Sequence, residues 1–295
     1  MQSDARPISA TITFFVGLIG VLTLVAAASP FVFTAGNGPV EHLAVTGKLI
    51  KLYGYGPYRN MPADVAVQGL AQDAVTLCLG VPTLFAALWM ARRGARLGYL
   101  LLVGSIGYLF VQYVLYLAMA TYNELFLLWV VLVLLLFQIL LRLLASGGQE
   151  VSGWPSPPNG VRPYVGGFLI VNGALIALLW LSVIVPPLVS GSLYPDGLAH
   201  LTTMVVQGFD LAIFLPVSLV AGYGYLRGTS AGRLLAPAYA VFLTLQMTAL
   251  LAKIGWMATV GVSAGPALLI VPVLLAGSLA AASLALAAVS PKRSV

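Results

Sequence analysis

Long uncharged apolar stretches are the feature that most constrains how this chain folds. No charged residue occurs between Lys253 and Lys292, and over all 295 residues 60 % are hydrophobic and only 7 % are charged. A soluble domain normally carries about a quarter charged residues. Because the bilayer core offers no water to an exposed backbone, apolar stretches of about 20 residues form transmembrane helices. The sequence therefore predicts an integral membrane protein and excludes a water-soluble globular one.

Eight stretches are long enough to cross a bilayer. The positions of charged, Gly and Pro residues predict spans at about residues 9–35, 65–90, 98–120, 125–145, 164–189, 202–226, 234–259 and 266–290. The last two are separated at residues 261–266, where glycines and a proline interrupt the apolar sequence. The predicted fold class is an all-α polytopic membrane helix bundle. Seven helices is the alternative if the first or the last boundary is misplaced.

The first stretch admits two interpretations. Arg6 precedes it, and the small residues at 26–29 resemble a signal-peptide cleavage site. Its apolar residues continue to about residue 35, however, whereas the apolar region of a signal peptide usually has about 7 to 15 residues. We therefore expect a retained transmembrane helix that is kinked at Pro30.

Lys and Arg are distributed unequally between the two sides of the predicted bundle. With the N-terminus inside, three of them lie in the outer loops and ten lie in the inner segments. The outer ones are Lys48, Lys51 and Arg59, and the inner ones are Arg6, Arg92, Arg93, Arg96, Arg142, Arg162, Arg227, Arg233, Lys292 and Arg293. This positive-inside bias predicts a cell-membrane protein of the bacterial inner-membrane type, with both termini in the cytoplasm.

The chain divides into two halves of four predicted spans each. Residues 1–146 form the first half, which includes a long outer loop at 36–64, and residues 164–295 form the second half. Between them, residues 147–163 are rich in Gly and Pro, which predicts a flexible cytoplasmic linker.

A shared spacing indicates that the two halves are related by duplication. Asp73 is followed 23 residues later by Arg96, and Asp210 is followed 23 residues later by Arg233. Because each half contains an even number of predicted spans, a duplication would give parallel repeats related by an axis along the membrane normal. Coincidence is the alternative, since the halves share little other identity.

The outer loop contains an amphipathic segment followed by an aromatic one. Within residues 40–52, Leu43 and Ile50 can face lipid while Glu41 faces water, which predicts an interfacial helix. Residues 53–58 contain three tyrosines, together with Gly and Pro that prevent regular structure. They fit either an anchoring loop at the headgroup level or a lid over an outward-facing cavity.

Three ionisable residues fall inside the predicted spans, namely Asp73, Asp210 and Lys253. Each lies about six to eight residues from the outer end of its span, which at about 1.5 Å per residue places all three roughly 9 to 12 Å deep. A charge in hydrocarbon costs about 2.5 to 3.5 kcal/mol on insertion scales, so such residues usually have a partner or a function. Because one lysine opposes two carboxylates, the site would hold a proton or a cation, and we assign the three residues to proton or ion coupling.

Polar residues recur at helical spacing around these three positions. The third span carries Ser105, Tyr108, Gln112 and Tyr116 on one face. Comparable stripes on the second, sixth and seventh spans complete a predicted solute-facing shell made of Gln68, Gln72, Gln112, His200, Thr203, Gln207 and Gln246. We expect the stripes to face one another inside the bundle.

Several of these residues also have a structural or a metal-binding interpretation. Lys253 can snorkel to the outer interface, and Asp210 with Gln207 can hydrogen-bond between helices. His200, Asp210 and Asp73 together offer nitrogen and oxygen ligands for a divalent metal, although no tight ligand spacing supports that site.

The pattern as a whole favours a transporter that moves a small solute or cation with proton or ion coupling. The alternatives are a membrane-embedded enzyme or redox-complex subunit that binds a lipid-soluble substrate or a metal, and a sensor or scaffold without turnover. A single cysteine and two histidines exclude an intrachain disulfide and a metal centre built from several thiolates or three imidazoles of one chain. The sequence identifies no cofactor. The lipid bilayer is the predicted partner, no motif indicates nucleic-acid binding, and a homo-oligomer or a membrane-complex partner stays open.

Cysteine labelling tests the predicted orientation. In a Cys78→Ser background, we expect Glu41→Cys to react with a membrane-impermeant maleimide in intact cells, because the reagent reaches outer segments only. Ser156→Cys, in the linker, should react only after the membrane is opened. Labelling of Ser156→Cys in intact cells, without labelling of Glu41→Cys, would reverse the orientation.

Overall fold

Eight long apolar helices make up most of the computed structural model, which describes residues 7–195, 198, 200–261 and 265–289. They are α1 (Ala10–Val32), α2 (Ala63–Arg92), α3 (Arg96–Met119), α4 (Phe126–Glu150), α5 (Val161–Ser190), α6 (Val205–Arg227), α7 (Ser230–Thr259) and α8 (Ala267–Val289). The predicted all-α bundle and its count of eight helices are confirmed for this part of the chain, with boundaries within a few residues of those expected. Arg6, Lys292, Arg293 and residues 262–264 of the predicted break lie outside the described residues.

Local sequence sets where several helices begin and end. Ser9 caps α1, since its hydroxyl accepts a hydrogen bond from the Ile12 amide at 3.3 Å. Gly191 and Gly228 end α5 and α6 with φ of +69° and +70°, a left-handed conformation that glycine adopts without steric cost. Pro30 lies inside the continuous helix α1.

Two helices contain a single π-helical turn, at Thr76–Gly80 in α2 and at Asp210–Phe214 in α6. Each wide turn is followed at once by a helical segment with proline as its second residue, Pro82 and Pro216. Proline has no backbone N–H, and a widened turn is one way to accommodate the interrupted hydrogen-bond ladder. The same irregularity therefore recurs beside both acidic residues that the sequence singled out.

The helices pack as two rings with the same order of neighbours. In the first ring α1 packs on α2, α2 on α3, α3 on α4 and α4 on α1, and in the second the same order runs from α5 to α8. The rings meet where α7 packs against α2 and α3. This shared order fits the expected duplication, which stays a prediction.

Small residues allow the two rings to approach closely. A Cβ atom added at Gly104 of α3 would lie 2.7 Å from both the Ala238 carbonyl oxygen and the Val241 side chain of α7. Within the second ring, a Cβ on Gly166 would likewise meet the backbone of Gly222 at 2.7 Å. Glycine at such positions lets helix backbones pack together in the membrane.

The connection between α1 and α2 forms a β-hairpin, so the predicted interfacial helix is wrong. Strands β1 (Val40–Leu43) and β2 (Leu49–Leu52) pair antiparallel, with Val40 opposite Leu52. Gly47 in the connecting turn has φ of +76°, which reverses the chain where a helix would have to continue. A short 3₁₀ turn at Gly56–Tyr58 then leads towards α2.

Replacement of a packed glycine tests the contact between the rings. We expect Gly104→Ala to destabilise the protein by about 1–3 kcal/mol, because the added methyl group must displace α7. Gly107, one turn along α3, has open space at its Cβ position, so Gly107→Ala should leave stability unchanged or raise it by up to about 1 kcal/mol. Thermal unfolding of both variants in detergent measures the difference, and equal melting temperatures would contradict the close packing.

Candidate functional site

The carboxylate of Asp73 lies at the centre of a buried polar network. Asp73 is only 1 % exposed, and the hydroxyl of Tyr58 donates a hydrogen bond to its Oδ2 at 2.6 Å. The hydroxyl of Tyr116 donates to Oδ1 at 3.1 Å, and Nε2 of Gln112 lies 3.5 Å from the same oxygen. Hydrogen bonds to an ionised carboxylate are stronger than neutral ones, so these donors compensate for the removal of the charge from water.

A second layer of the network joins α2 to α3 beside Asp73. Nε2 of Gln72 donates to the Tyr108 hydroxyl at 2.8 Å, and the Thr76 hydroxyl donates to Oε1 of Gln112 at 2.7 Å. Two buried oxygens beside these groups, Oε1 of Gln72 and Oγ of Ser105, have no hydrogen-bond partner among the described residues. Tyr108, Gln112 and Tyr116 on one face of α3 thus lie against α2, as expected.

Lys253 of α7 is partly buried and interacts electrostatically with Asp73. Among the described residues, it forms no ion pair with a carboxylate within 4 Å. The two groups therefore influence each other through space, and their joint role in coupling stays a prediction.

Asp210 occupies a separate environment. Nε1 of Trp180 on α5 donates a hydrogen bond to its Oδ2 at 2.7 Å. The Tyr239 hydroxyl donates to the carbonyl of Phe214 at the end of the π turn, at 3.0 Å. Asp73 and Asp210 share no hydrogen-bond partner among the described residues, so the structure does not join the two acids in one cluster.

A cavity of about 250 Å³ lies at the hairpin end of the bundle, between α2, α3, α5 and the segment before α6. Its lining includes three of the predicted solute-facing residues, His200, Thr203 and Gln207, and the others are Pro62, Val65, Met119, Val183, Leu198, Leu201, Met204, Val205 and Val206. Nε2 of His200 lies 2.9 Å from the Thr121 hydroxyl. Burial, with a smaller effect from His42, lowers the pKa of His200 and so favours its neutral form.

The cavity and the Asp73 network are close along two helices. Met119 lines the cavity, and Tyr116, which donates to Asp73, lies one turn earlier in α3. Val65 also lines the cavity, and Asp73 follows eight residues later in α2, about 12 Å along the helix axis. A ligand in the cavity would therefore lie within one or two helical turns of the buried carboxylate.

The other sequence-predicted positions are distributed outside this network. Nε2 of Gln68 donates to the backbone carbonyl of Asp64 at 3.1 Å, and Oε1 of Gln246 is buried without a hydrogen-bond partner among the described residues. In the same part of the chain, no group of three or more His, Cys, Asp or Glu side chains is close enough to hold a metal ion. His200, Asp210 and Asp73 therefore do not form the predicted ligand set.

Sequence patterns alone do not reveal the roles of Tyr58 and Trp180. The aromatic segment predicts Tyr58 at the headgroup level, but its side chain is 2 % exposed and donates to Asp73. Burial and the negative charge of Asp73 raise the pKa of Tyr58 well above its usual range. The Gly56–Tyr58 turn lies shortly before α2 in the chain, and this closeness is the one sign in the sequence that Tyr58 can reach Asp73. The sequence does not tell, however, whether a loop folds towards the bundle or away from it.

A set of exposed contacts holds the segment that contains Tyr58. Arg59 forms an ion pair with Glu124 in the turn between α3 and α4, and the hydrogen bond from Arg59 lowers the pKa of Glu124. The Thr121 hydroxyl donates to the Asn60 carbonyl at 3.1 Å. Exposed ion pairs contribute little to stability, so these contacts position the segment more than they stabilise it.

Comparisons with known proteins add no relative, since no protein-family model, curated protein or solved structure matches the chain. Eight helices in the described part of the chain are long and apolar enough to span a membrane, so this is a multi-pass membrane protein. Its described residues include a buried carboxylate network close to a cavity.

Removal of one hydroxyl tests the link between the outer segment and Asp73. We expect Tyr58→Phe to lower the free energy of unfolding by about 1.5–3 kcal/mol, since the carboxylate loses a charge-assisted donor. Tyr55→Phe is the control, because Tyr55 is 39 % exposed and donates no hydrogen bond to Asp73. Thermal unfolding with hydrogen exchange of residues 53–62 should separate the two variants, and identical behaviour would contradict the assigned hydrogen bond.

Proposed function

We propose that this protein transports a small solute and couples its movement to a proton or another cation through Asp73. The observation that supports this most is the shared hydrogen bonding of Asp73, which accepts from Tyr58 on the outer segment and from Tyr116 one turn below the cavity. A change in the charge of Asp73 would thus act both on the segment that contains Tyr58 and on α3, which lines the cavity. Buried ionisable residues of this kind mark ion and proton pathways in membrane proteins.

Protonation of Asp73 would loosen the outer segment. The ionised carboxylate accepts hydrogen bonds from both tyrosines, whereas the neutral acid is a weaker acceptor and must donate through one of its oxygens. Tyr58 would then lose part of its attachment, and the segment around it would detach more readily from the bundle. Lys253, by its positive charge, favours the ionised state and so the closed arrangement.

Asp210 would provide a second protonatable position with its own partner. Asp210 accepts a hydrogen bond from Trp180 and begins the π turn of α6. Asp73 lies just before the π turn of α2, so the two acids occupy similar positions in their helices. If the halves are repeats, the two acids would act in corresponding places of the two rings, one coupled to the outer segment and one to α5.

The cavity favours a small solute with an apolar portion. Its volume of about 250 Å³ is below the roughly 300–1,000 Å³ typical of drug-sized ligand sites. Nine of its twelve lining residues are apolar, while His200, Thr203 and Gln207 can fix a polar group. The same apolar majority supports a second candidate function, a membrane enzyme or redox-complex subunit that holds a lipid-soluble molecule there.

Proteoliposomes test the coupling across several classes of solute. Vesicles that enclose a pH-sensitive dye are challenged in turn with amino acids, sugars, organic acids and metal cations. We expect one class to drive proton movement through the wild-type protein and Asp73→Asn to abolish it, because an amide cannot exchange a proton in this range. Asp64→Asn, near the outer end of the same helix, should retain wild-type transport, and Asp210→Asn reports whether the second acid takes part.

Hydrogen exchange at several pH values provides a readout that does not depend on the solute. After correction for the intrinsic exchange rate, residues 53–62 should exchange faster at low pH in the wild type and independently of pH in Asp73→Asn. Solute-driven proton movement that persists unchanged in both Asp73→Asn and Asp210→Asn would refute the proposal. A tightly co-purified lipid-soluble molecule, without any transport, would favour the second candidate.

A further inference from the structure

Two arginines lie at the end of the bundle opposite the hairpin, one against the turn between α6 and α7 and the other in the first turn of α7. Arg162 at the start of α5 and Arg233 near the start of α7 act on each other electrostatically. Neither forms an ion pair within the described residues. Like charges held together without a carboxylate repel each other, and a bound anion would relieve this repulsion.

The two arginines are held in different ways. Arg233 donates from Nη2 to the carbonyls of Trp154 and Pro155, the latter at 3.0 Å, which ties it to the linker between the rings. The guanidinium of Arg162 lies against the turn between α6 and α7, where a Cβ added at Gly228 would be 3.2 Å from its Nη1. Nε of Arg162 is buried and has no hydrogen-bond partner among the described residues. Arg162 therefore keeps an unsatisfied hydrogen-bond donor, whereas Arg233 fixes the backbone of the linker at Trp154 and Pro155.

Further features favour a negative charge at this place. Arg162 is the second residue of a 30-residue helix and Arg233 the fourth residue of another, so both lie where the helix dipole is positive. The guanidinium of Arg162 also lies against the turn at Gly228 that ends α6. The electrostatic setting is thus built by three helices and the linker.

We propose that Arg162 and Arg233 form a binding site for a phosphate group, carried by an anionic lipid or by a free phosphate compound. The planar guanidinium matches two phosphate oxygens at once, which a simple point charge does not. Basic pockets between transmembrane helices, at the level of the headgroups, bind anionic lipid headgroups in the same way. This site is independent of the transport proposal, since it shares no residue with the Asp73 network or the cavity.

The experiment compares Arg162→Gln with Arg227→Gln. Arg227 is exposed, stacks over Tyr223 and immediately precedes Gly228, so its replacement removes an equal charge from the same end of the bundle. Native mass spectrometry of the full-length protein measures retention of phosphatidylglycerol against phosphatidylcholine. Thermal unfolding of delipidated protein, with inorganic phosphate or chloride at equal ionic strength, measures a free anion.

We expect wild type and Arg227→Gln to retain phosphatidylglycerol and Arg162→Gln to retain at least about tenfold less, the loss typical of one charge-assisted contact. Stabilisation by inorganic phosphate that is lost only in Arg162→Gln would instead identify a free phosphate compound as the source. Equal behaviour of Arg162→Gln and Arg227→Gln in both assays would overturn the site. If Arg162→Gln does not yield folded protein, Arg162→Lys is measured in its place. Several-fold weaker binding of phosphatidylglycerol or phosphate supports contact of the guanidinium with two phosphate oxygens, and unchanged binding overturns the site.

Discussion

The burial of one carboxylate in a membrane bundle imposes the arrangement of the hairpin end of this protein. As a charged group, Asp73 needs donors or a positive charge to compensate for its lost hydration. That compensation comes from three parts of the chain, since Tyr58 belongs to the segment before α2, Tyr116 to α3 and Lys253 to α7. The carboxylate therefore ties the segment before α2 to the first ring, and its charge also acts on a helix of the second ring.

Helix α7 links the two rings and contributes to all three polar regions. Close packing at Gly104 brings it against α3, and from that position Lys253 acts on Asp73 and Tyr239 donates to the carbonyl of Phe214, at the end of the π turn that begins at Asp210. At its other end, Arg233 anchors the linker. Because a close-packed interface has few intermediate arrangements, a shift of α7 would be felt at both acids and at the arginine pair.

The chemistry of the two ends of the bundle differs in kind. The hairpin end combines an acid, hydroxyl donors and a largely apolar cavity, which suits proton exchange next to a small solute. The linker end concentrates guanidinium groups at helix starts, which suits a fixed anion.

The helices follow from the amino-acid sequence alone, because apolar length and the need to satisfy the backbone in lipid leave no other structure for these stretches. The sequence also determined which side chains are polar on each helix, so the face of α3 with Tyr108, Gln112 and Tyr116 was predictable from spacing alone. Only the tertiary structure decided which faces meet. It separated Asp210 from Asp73, folded Tyr58 inwards and formed a hairpin at residues 40–52. The reason is that helical periodicity is a local property, whereas loop direction and helix partners depend on contacts between residues far apart in the chain.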